Sequence, residues 1–138
     1  MKPHINVITL AVDDLEKSMT FYRDGLGLKT KGKMGEQWEN GTVVFFNMEG
    51  GLILALYPRA SLVNDANVPP SMPSPLEFTL AQIVDSKEEV DELLKRAERA
   101  GGRITDPPHE RPWGIYSGYF QDLDEHLWEI IWDPQRRG

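Results

Sequence analysis

Cysteine is absent from this chain, so disulfides, thiolate metal ligands and a cysteine nucleophile are excluded at the outset. Histidine is nearly as scarce: only His4, His109 and His126 are available for imidazole chemistry. Long apolar runs are missing too. No stretch approaches the ~20 residues that a membrane span requires. The opening Met1-Lys2-Pro3-His4 carries no basic-then-apolar leader pattern, so the expectation is a soluble, cytoplasmic protein with no membrane partner. Positive charge is in deficit as well, with 15 Lys and Arg against 22 Asp and Glu, a formal net charge of -7. Nucleic acid requires a concentrated basic surface. The short Arg136-Arg137 tail does not supply one, and nucleic acid is not an expected partner.

What the chain does contain is a repeat. Val12-Asp13-Asp14 leads through a helical run to Phe45-Phe46-Asn47, a Gly turn and an apolar strand from Leu52 to Tyr57. Val84-Asp85-Ser86 leads through a second helical run to Tyr119-Phe120-Gln121, an acidic turn and Leu127 to Trp132. At 138 residues and 40% apolar composition, two such halves suit one domain with one core. Laid over each other, the halves put Leu54 opposite Glu129. A carboxylate within an apolar strand calls for an explanation, because burying an unpaired charge is costly.

Periodicity assigns the elements. His4 to Val12 alternates with apolar residues on both faces, which predicts a strand interior to a sheet covered on both sides. Asp13 and Glu16 read as a capping box for a helix whose stripe is Leu15, Met19, Tyr22 and Leu26, stopped by Gly25 and Gly27. Strands are expected at Lys29 to Met34, Val43 to Met48 and Leu52 to Tyr57, with Asn40-Gly41 as a hairpin turn. Prolines 58, 69, 70, 73 and 75 mark residues 58-75 as a linker, in which Arg59 to Ala66 can form a short helix. The second half opens with a strand from Leu76 to Val84. Ser86 and Glu89 then form a stricter capping box before the stripe Val90, Leu93, Leu94 and Ala97. Strands at Arg103 to Thr105, Ile115 to Gln121 and Leu127 to Trp132 complete it. The result is an α+β chain of two tandem βαβββ modules, at about 4-57 and 76-134.

These residues resemble the vicinal oxygen chelate superfamily, which includes glyoxalase I, the bleomycin-resistance proteins, fosfomycin-resistance enzymes and extradiol dioxygenases. Val12 to Ser18, with Phe21-Tyr22 and Leu26-Gly27-Leu28, is similar to the family's opening strand-to-helix signature. Tyr119 to Glu129 is similar to its closing hairpin, with Leu123 and Glu125 in place of the usual Pro and Gly. The resemblance implies a curved mixed sheet around a ligand cavity, a homodimer, and, in metal-using members, one ligand from the first and last strand of each module. Those positions fall on Val7, Leu54, Thr79 and Glu129. Only Glu129 is a conventional ligand, and one carboxylate with a hydroxyl does not hold a transition metal. No metal or other cofactor is therefore expected.

The remaining candidates form an aromatic wall. Trp113, Tyr116 and Tyr119 lead into the strand beside Glu129, and Trp38 approaches from the first hairpin. Such side chains can stack on a flat or cationic ligand. Trp128 and Trp132 alternate away from Glu129 and belong to the helix-covered side. His126 reads as a turn residue and His109 as part of a Pro-stiffened loop. Glu129 admits two roles: an acceptor for a buried donor such as Thr79, Tyr116 or Gln82, or a cavity carboxylate that binds a ligand or acts as a base. Two functions follow: a metal-free protein that binds a small molecule in an aromatic, acidic groove, or a glyoxalase-type lyase or isomerase, metal-dependent or using Glu129 as base.

Overall fold

The computed structural model describes residues 1 to 136; Arg137 of the basic tail lies outside them. The chain forms two compact units, one from Met1 to Met72 and one beginning at Pro73. Each unit contains a four-stranded mixed sheet and repeats the order β-α-β-β-β, so the α+β architecture is the expected one. No helix among the described residues is long and apolar enough to cross a membrane.

The first unit comprises β1 (Val7–Val12), α1 (Leu15–Thr20), β2 (Thr30–Met34), β3 (Val43–Asn47), β4 (Ile53–Pro58) and α2 (Arg59–Ala66). Its sheet, sheet one, runs β1-β4-β3-β2, with β1 parallel to β4 and the other pairs antiparallel. The expectation that β1 is interior is corrected here. The crossover through α1 places β4 beside β1, and the meander then grows away from it, leaving β1 as an edge. Leu10 and Val12 are buried, while Val7 on the alternate face is 45% exposed.

Asp14, not Asp13, caps α1, accepting the Lys17 N–H at 3.0 Å. Asp13 instead takes the Arg59 guanidinium at 2.8 Å. After Thr20 the helix widens into a π-helical turn over Phe21–Gly25, closed by the Leu26 N–H on the Phe21 carbonyl at 3.0 Å. The extra residue in that turn widens the buried stripe. Phe21 and Tyr22, adjacent in sequence, are both buried with rings edge-on at 5.0 Å. Asn40 takes the left-handed φ of 53° anticipated for it, although the β2–β3 connection is a wide loop rather than a two-residue turn.

The second unit comprises β5 (Leu80–Val84), α3 (Lys87–Arg99), β6 (Arg103–Glu110), β7 (Tyr116–Gln121) and β8 (Leu127–Trp132). Sheet two runs β5-β8-β7-β6. Ser86 caps α3 as anticipated, its Oγ accepting the Glu89 N–H at 3.1 Å, whereas Glu89 Oε2 reaches past the N-cap and accepts the Asp85 N–H at 2.7 Å. Val90, Leu94 and Ala97 of α3 are buried, as are Phe120, Trp128 and Ile130 on the sheet face that α3 covers. The Phe120 and Trp128 rings stack at 6.2 Å, nearly parallel.

Several strand boundaries differ from expectation, and β1 starts at Val7 rather than His4. β5 starts at Leu80 rather than Leu76. β6 continues through Pro107 and Pro108 to Glu110 instead of stopping at Thr105. Proline is tolerated there because β6 is an edge strand whose register shifts between Asp106 and His109. His109 therefore stands on a strand, opposite Ser117, and not in a loop.

Candidate functional site

The register of sheet two decides which side chains meet. Asp106 of β6 lies opposite Tyr119 of β7, Tyr119 opposite Glu129 of β8, and Glu129 opposite Ala81 of β5. Paired residues share a face, so these four form one row across the sheet. Phe120 and Trp128, one residue along, face α3, which puts the row on the opposite, open face. Ser117 is two residues from Tyr119 and shares that face. The β6 backbone passes close to β7 here: a Cβ at Gly118 would meet Pro108 N at 3.0 Å and the Asp106 carbonyl at 3.1 Å. Any side chain at that position would require the β6 backbone to give by a few tenths of an ångström.

A hydrogen-bonded chain runs through the row. The Ser117 hydroxyl, fully buried, donates to Glu129 Oε2 at 2.8 Å and accepts the Arg111 Nε–H at 2.5 Å. Arg111 Nη2 donates to the Ser117 carbonyl at 3.1 Å and to Asp106 Oδ2 at 2.9 Å. Its guanidinium lies 5.1 Å from the centre of the Tyr119 ring, in cation–π range. One arginine thus ties β6, β7 and, through a hydroxyl, β8.

His109 closes the far end. Its Nε2 is 3.0 Å from Asp106 Oδ2 and its Nδ1 is 2.8 Å from the Glu110 carbonyl. Both partners are acceptors, so the ring satisfies both only when both nitrogens carry hydrogen. The imidazole is accordingly raised above its ordinary 6.5, chiefly by the Glu110 carbonyl and then by Asp106. The Arg111 guanidinium, followed by His109, holds the Asp106 carboxyl below its ordinary range. Burial pushes the Tyr119 phenol up, and the negative charge of Glu129 adds to that.

The other expected site residues are elsewhere. Tyr116 lies on the α3 face: its hydroxyl donates to Asp91 Oδ1 at 2.7 Å, and that bond is the main reason the phenol is pushed up to about 12. Thr79 precedes β5, is exposed, and makes no hydrogen bond to Glu129. Trp113 is 90% exposed in the turn Pro112–Gly114, with a left-handed φ of 71°. Trp38 is 66% exposed on the β2–β3 loop of the first unit. The partner expected for Glu129 among Thr79, Tyr116 and Gln82 is Ser117 instead. Ser117, Arg111 and Asp106 were missed, although the alternation Ser117, Tyr119, Gln121 was a usable sign for the first. His126 fills the turn role anticipated for it, with Nδ1 2.7 Å from Asp122 Oδ2.

Strand pairing also corrects the overlay of the two halves. Phe45 pairs with Ala55 just as Tyr119 pairs with Glu129, so Glu129 matches Ala55 and not Leu54. A slip of one residue reverses the face, and Leu54 is buried on the helix side. The positions expected to hold a metal are then Val7, Ala55, Thr79 and Glu129. Among the described residues no group of three or more His, Asp or Glu converges on a point. This donor set does not fit a transition metal.

A family model described as Glyoxalase/Bleomycin resistance protein/Dioxygenase superfamily matches residues 4–130. No curated protein matches the chain. Among solved structures, a glyoxalase-related enzyme from Fulvimarina pelagi is 33% identical, with 96% of this chain and 90% of that chain covered and a TM-score of 0.83. A lactoylglutathione lyase from Agrobacterium tumefaciens is 29% identical over 96% of this chain and 95% of that one, TM-score 0.69. A fosfomycin resistance protein from Listeria monocytogenes is 26% identical over 96% and 94%, TM-score 0.69.

Two outcomes test the network. Ser117→Ala removes the hydroxyl between Arg111 and Glu129 and is expected to lower the unfolding free energy by about 1–3 kcal/mol; urea denaturation with an unchanged midpoint would refute the linkage. The second concerns pH. Asp106, with its pKa lowered, contributes stability above about 3.8 that is lost as pH falls through its folded value. His109, with its pKa raised, contributes stability below 6.5 that is lost as pH rises through its folded value. Their pair is therefore strongest between those limits. Titration of the His109 ring by NMR is expected to give a midpoint above 6.5 that drops in Asp106→Asn.

Proposed function

Because the chain belongs to the Glyoxalase/Bleomycin resistance protein/Dioxygenase superfamily, we propose that it binds a small organic molecule on the open face of sheet two, without the family's metal. One observation carries this reading: Glu129 sits on that face in a fixed orientation, held by a buried serine that is itself held by an arginine. Preorganisation of this kind removes the cost of ordering a polar anchor when a ligand arrives. Glu129 accepts a donor or cationic group of the ligand, and Tyr119, its cross-strand neighbour, supplies an aromatic wall. A net charge of -7 favours cations over anions in the surrounding field.

In this proposal Trp113 offers an exposed stacking surface at the end of β6, and Thr79 a hydroxyl beside β5. Tyr116 is occupied by Asp91 and Trp38 stands in the first unit, so neither is assigned to this site. A second reading is supported by the Agrobacterium relative: a lyase or isomerase in which Glu129 moves a proton next to a carbonyl. The protein is further proposed to be a homodimer, since edge strand β1 leaves Val7, and Ile5 before it, 45% and 67% exposed.

Thermal-shift screening of small organic cations and aromatic amines against the full chain identifies ligands. Glu129→Gln, which keeps shape and removes charge, is expected to weaken each of them tenfold or more while the melting temperature without ligand stays close to wild type. Equal affinity in both proteins would sink the anchor role. Retention of about one equivalent of metal after desalting, together with turnover of lactoylglutathione, would establish the second reading in place of the first. Sedimentation is expected to give twice the 15.7 kDa chain mass; a monomer at micromolar concentration would refute the dimer.

A further inference from the structure

A cavity of about 570 Å³ lies on the first unit, and none of its lining residues belongs to the Glu129 network. Phe45 and Asn47 of β3 and Ile53 of β4 line it, together with Lys31 and Met34 of β2 and Lys29 just before that strand. Its location follows from the alternation of β3: Val44 and Phe46 are buried, whereas Phe45 and Asn47 face outward. The volume falls within the range of roughly 300–1,000 Å³ typical of small-molecule sites.

The lining of β2 is built by an irregularity. Lys31 and Met34 are three residues apart, and on a regular strand they would point to opposite faces. The register shifts between Thr30 and Lys33, with Gly32 at φ +90° inside the shift. A bulge of this kind re-aims the residues that follow it. Lys33 is turned to the other face, where it pairs with Glu16 of α1 at 3.1 Å, and Met34 joins Lys31 in the cavity. Thr30 secures the arrangement, its hydroxyl donating to the Phe45 carbonyl at 2.7 Å.

The charge of this cavity runs against that of the chain. In a protein of net charge -7, two lysines line one cavity, and among the described residues neither is in an ion pair. The other lining groups are apolar, apart from Thr30 and the Asn47 side-chain amide, which can donate and accept. We propose that this cavity is a second ligand site, one that takes a small amphipathic organic anion: an aryl or alkyl body against Phe45, Ile53 and Met34, with a carboxylate, sulfonate or phosphate at Lys29 and Lys31. It requires neither Glu129 nor the reading built on it.

The probe is 8-anilinonaphthalene-1-sulfonate, titrated into the full-length folded protein by calorimetry and followed by backbone amide NMR. One saturable site per chain is expected, with the largest shifts at Lys31, Phe45, Asn47 and Ile53. The double substitution Lys29→Ala, Lys31→Ala is expected to weaken binding tenfold or more, and Lys29→Arg, Lys31→Arg to stay within about threefold of wild type. Glu129→Gln is expected to leave the probe's affinity unchanged, which separates this site from the sheet-two site. The well-dispersed amide spectrum of each variant shows that the dye reads a site and not an unfolded chain. Wild-type affinity in the double alanine variant, shifts centred on Tyr119 and Glu129, or no saturable binding up to millimolar probe would each overturn the proposal.

Discussion

A half-buried carboxylate on a strand, such as Glu129, needs a hydrogen-bond partner to offset the water it loses, even though its neighbours Trp128 and Ile130 are buried on the opposite face. In this protein the Ser117 hydroxyl meets that condition for Glu129. Much of sheet two is arranged around it. The hydroxyl has one proton, which goes to Glu129, so the Arg111 Nε–H is free to approach its oxygen. Arg111 in turn needs anionic company and finds it in Asp106. His109 adds a second cation to the same carboxylate. Cation and anion alternate along the row, which lets four charged groups share one sheet face. Because Asp106 and His109 are largely solvated, their pair tunes the row, while the buried serine anchors it.

The parity of β-strands is the second constraint. Leu54 and Ala55 are neighbours in sequence and point to opposite faces of the sheet, although both are buried. The same parity separates Tyr116 from Tyr119. Both are tyrosines on β7, yet one hydroxyl serves α3 through Asp91 and the other stands beside Glu129. In β2 a bulge breaks the parity, and the departure shapes the lysine-lined cavity. Register therefore does as much as residue identity to decide which groups act together.

At the four positions that the family resemblance assigns to metal ligands, the chain carries Val7, Ala55, Thr79 and Glu129. Glu129 is integrated into a serine–arginine–aspartate chain. The closing turn shows similar substitution. Glu125 occupies a left-handed position, φ 69°, where the family usually has glycine, and Asp122 supports the turn by accepting the Asp124 and His126 N–H groups. Side-chain hydrogen bonds hold the geometry there that glycine would otherwise permit without strain.

The sequence by itself determined the two βαβββ halves, the Ser86 cap of α3 and the apolar stripes, because these depend on interactions within a few residues and on periods of two and 3.6. It also identified Glu129 as the anomaly. Tertiary structure decided the rest. That Ser117 and not Thr79 meets Glu129, that Arg111 and Asp106 join them, and that β6 runs through two prolines all depend on which strands pair and in what register. Hydrogen-bond partners in a sheet are separated by 12 residues for Ser117 and Glu129 and by 15 for Thr30 and Phe45. Pairing over such distances is set by the packing of the whole sheet, and no local pattern encodes it.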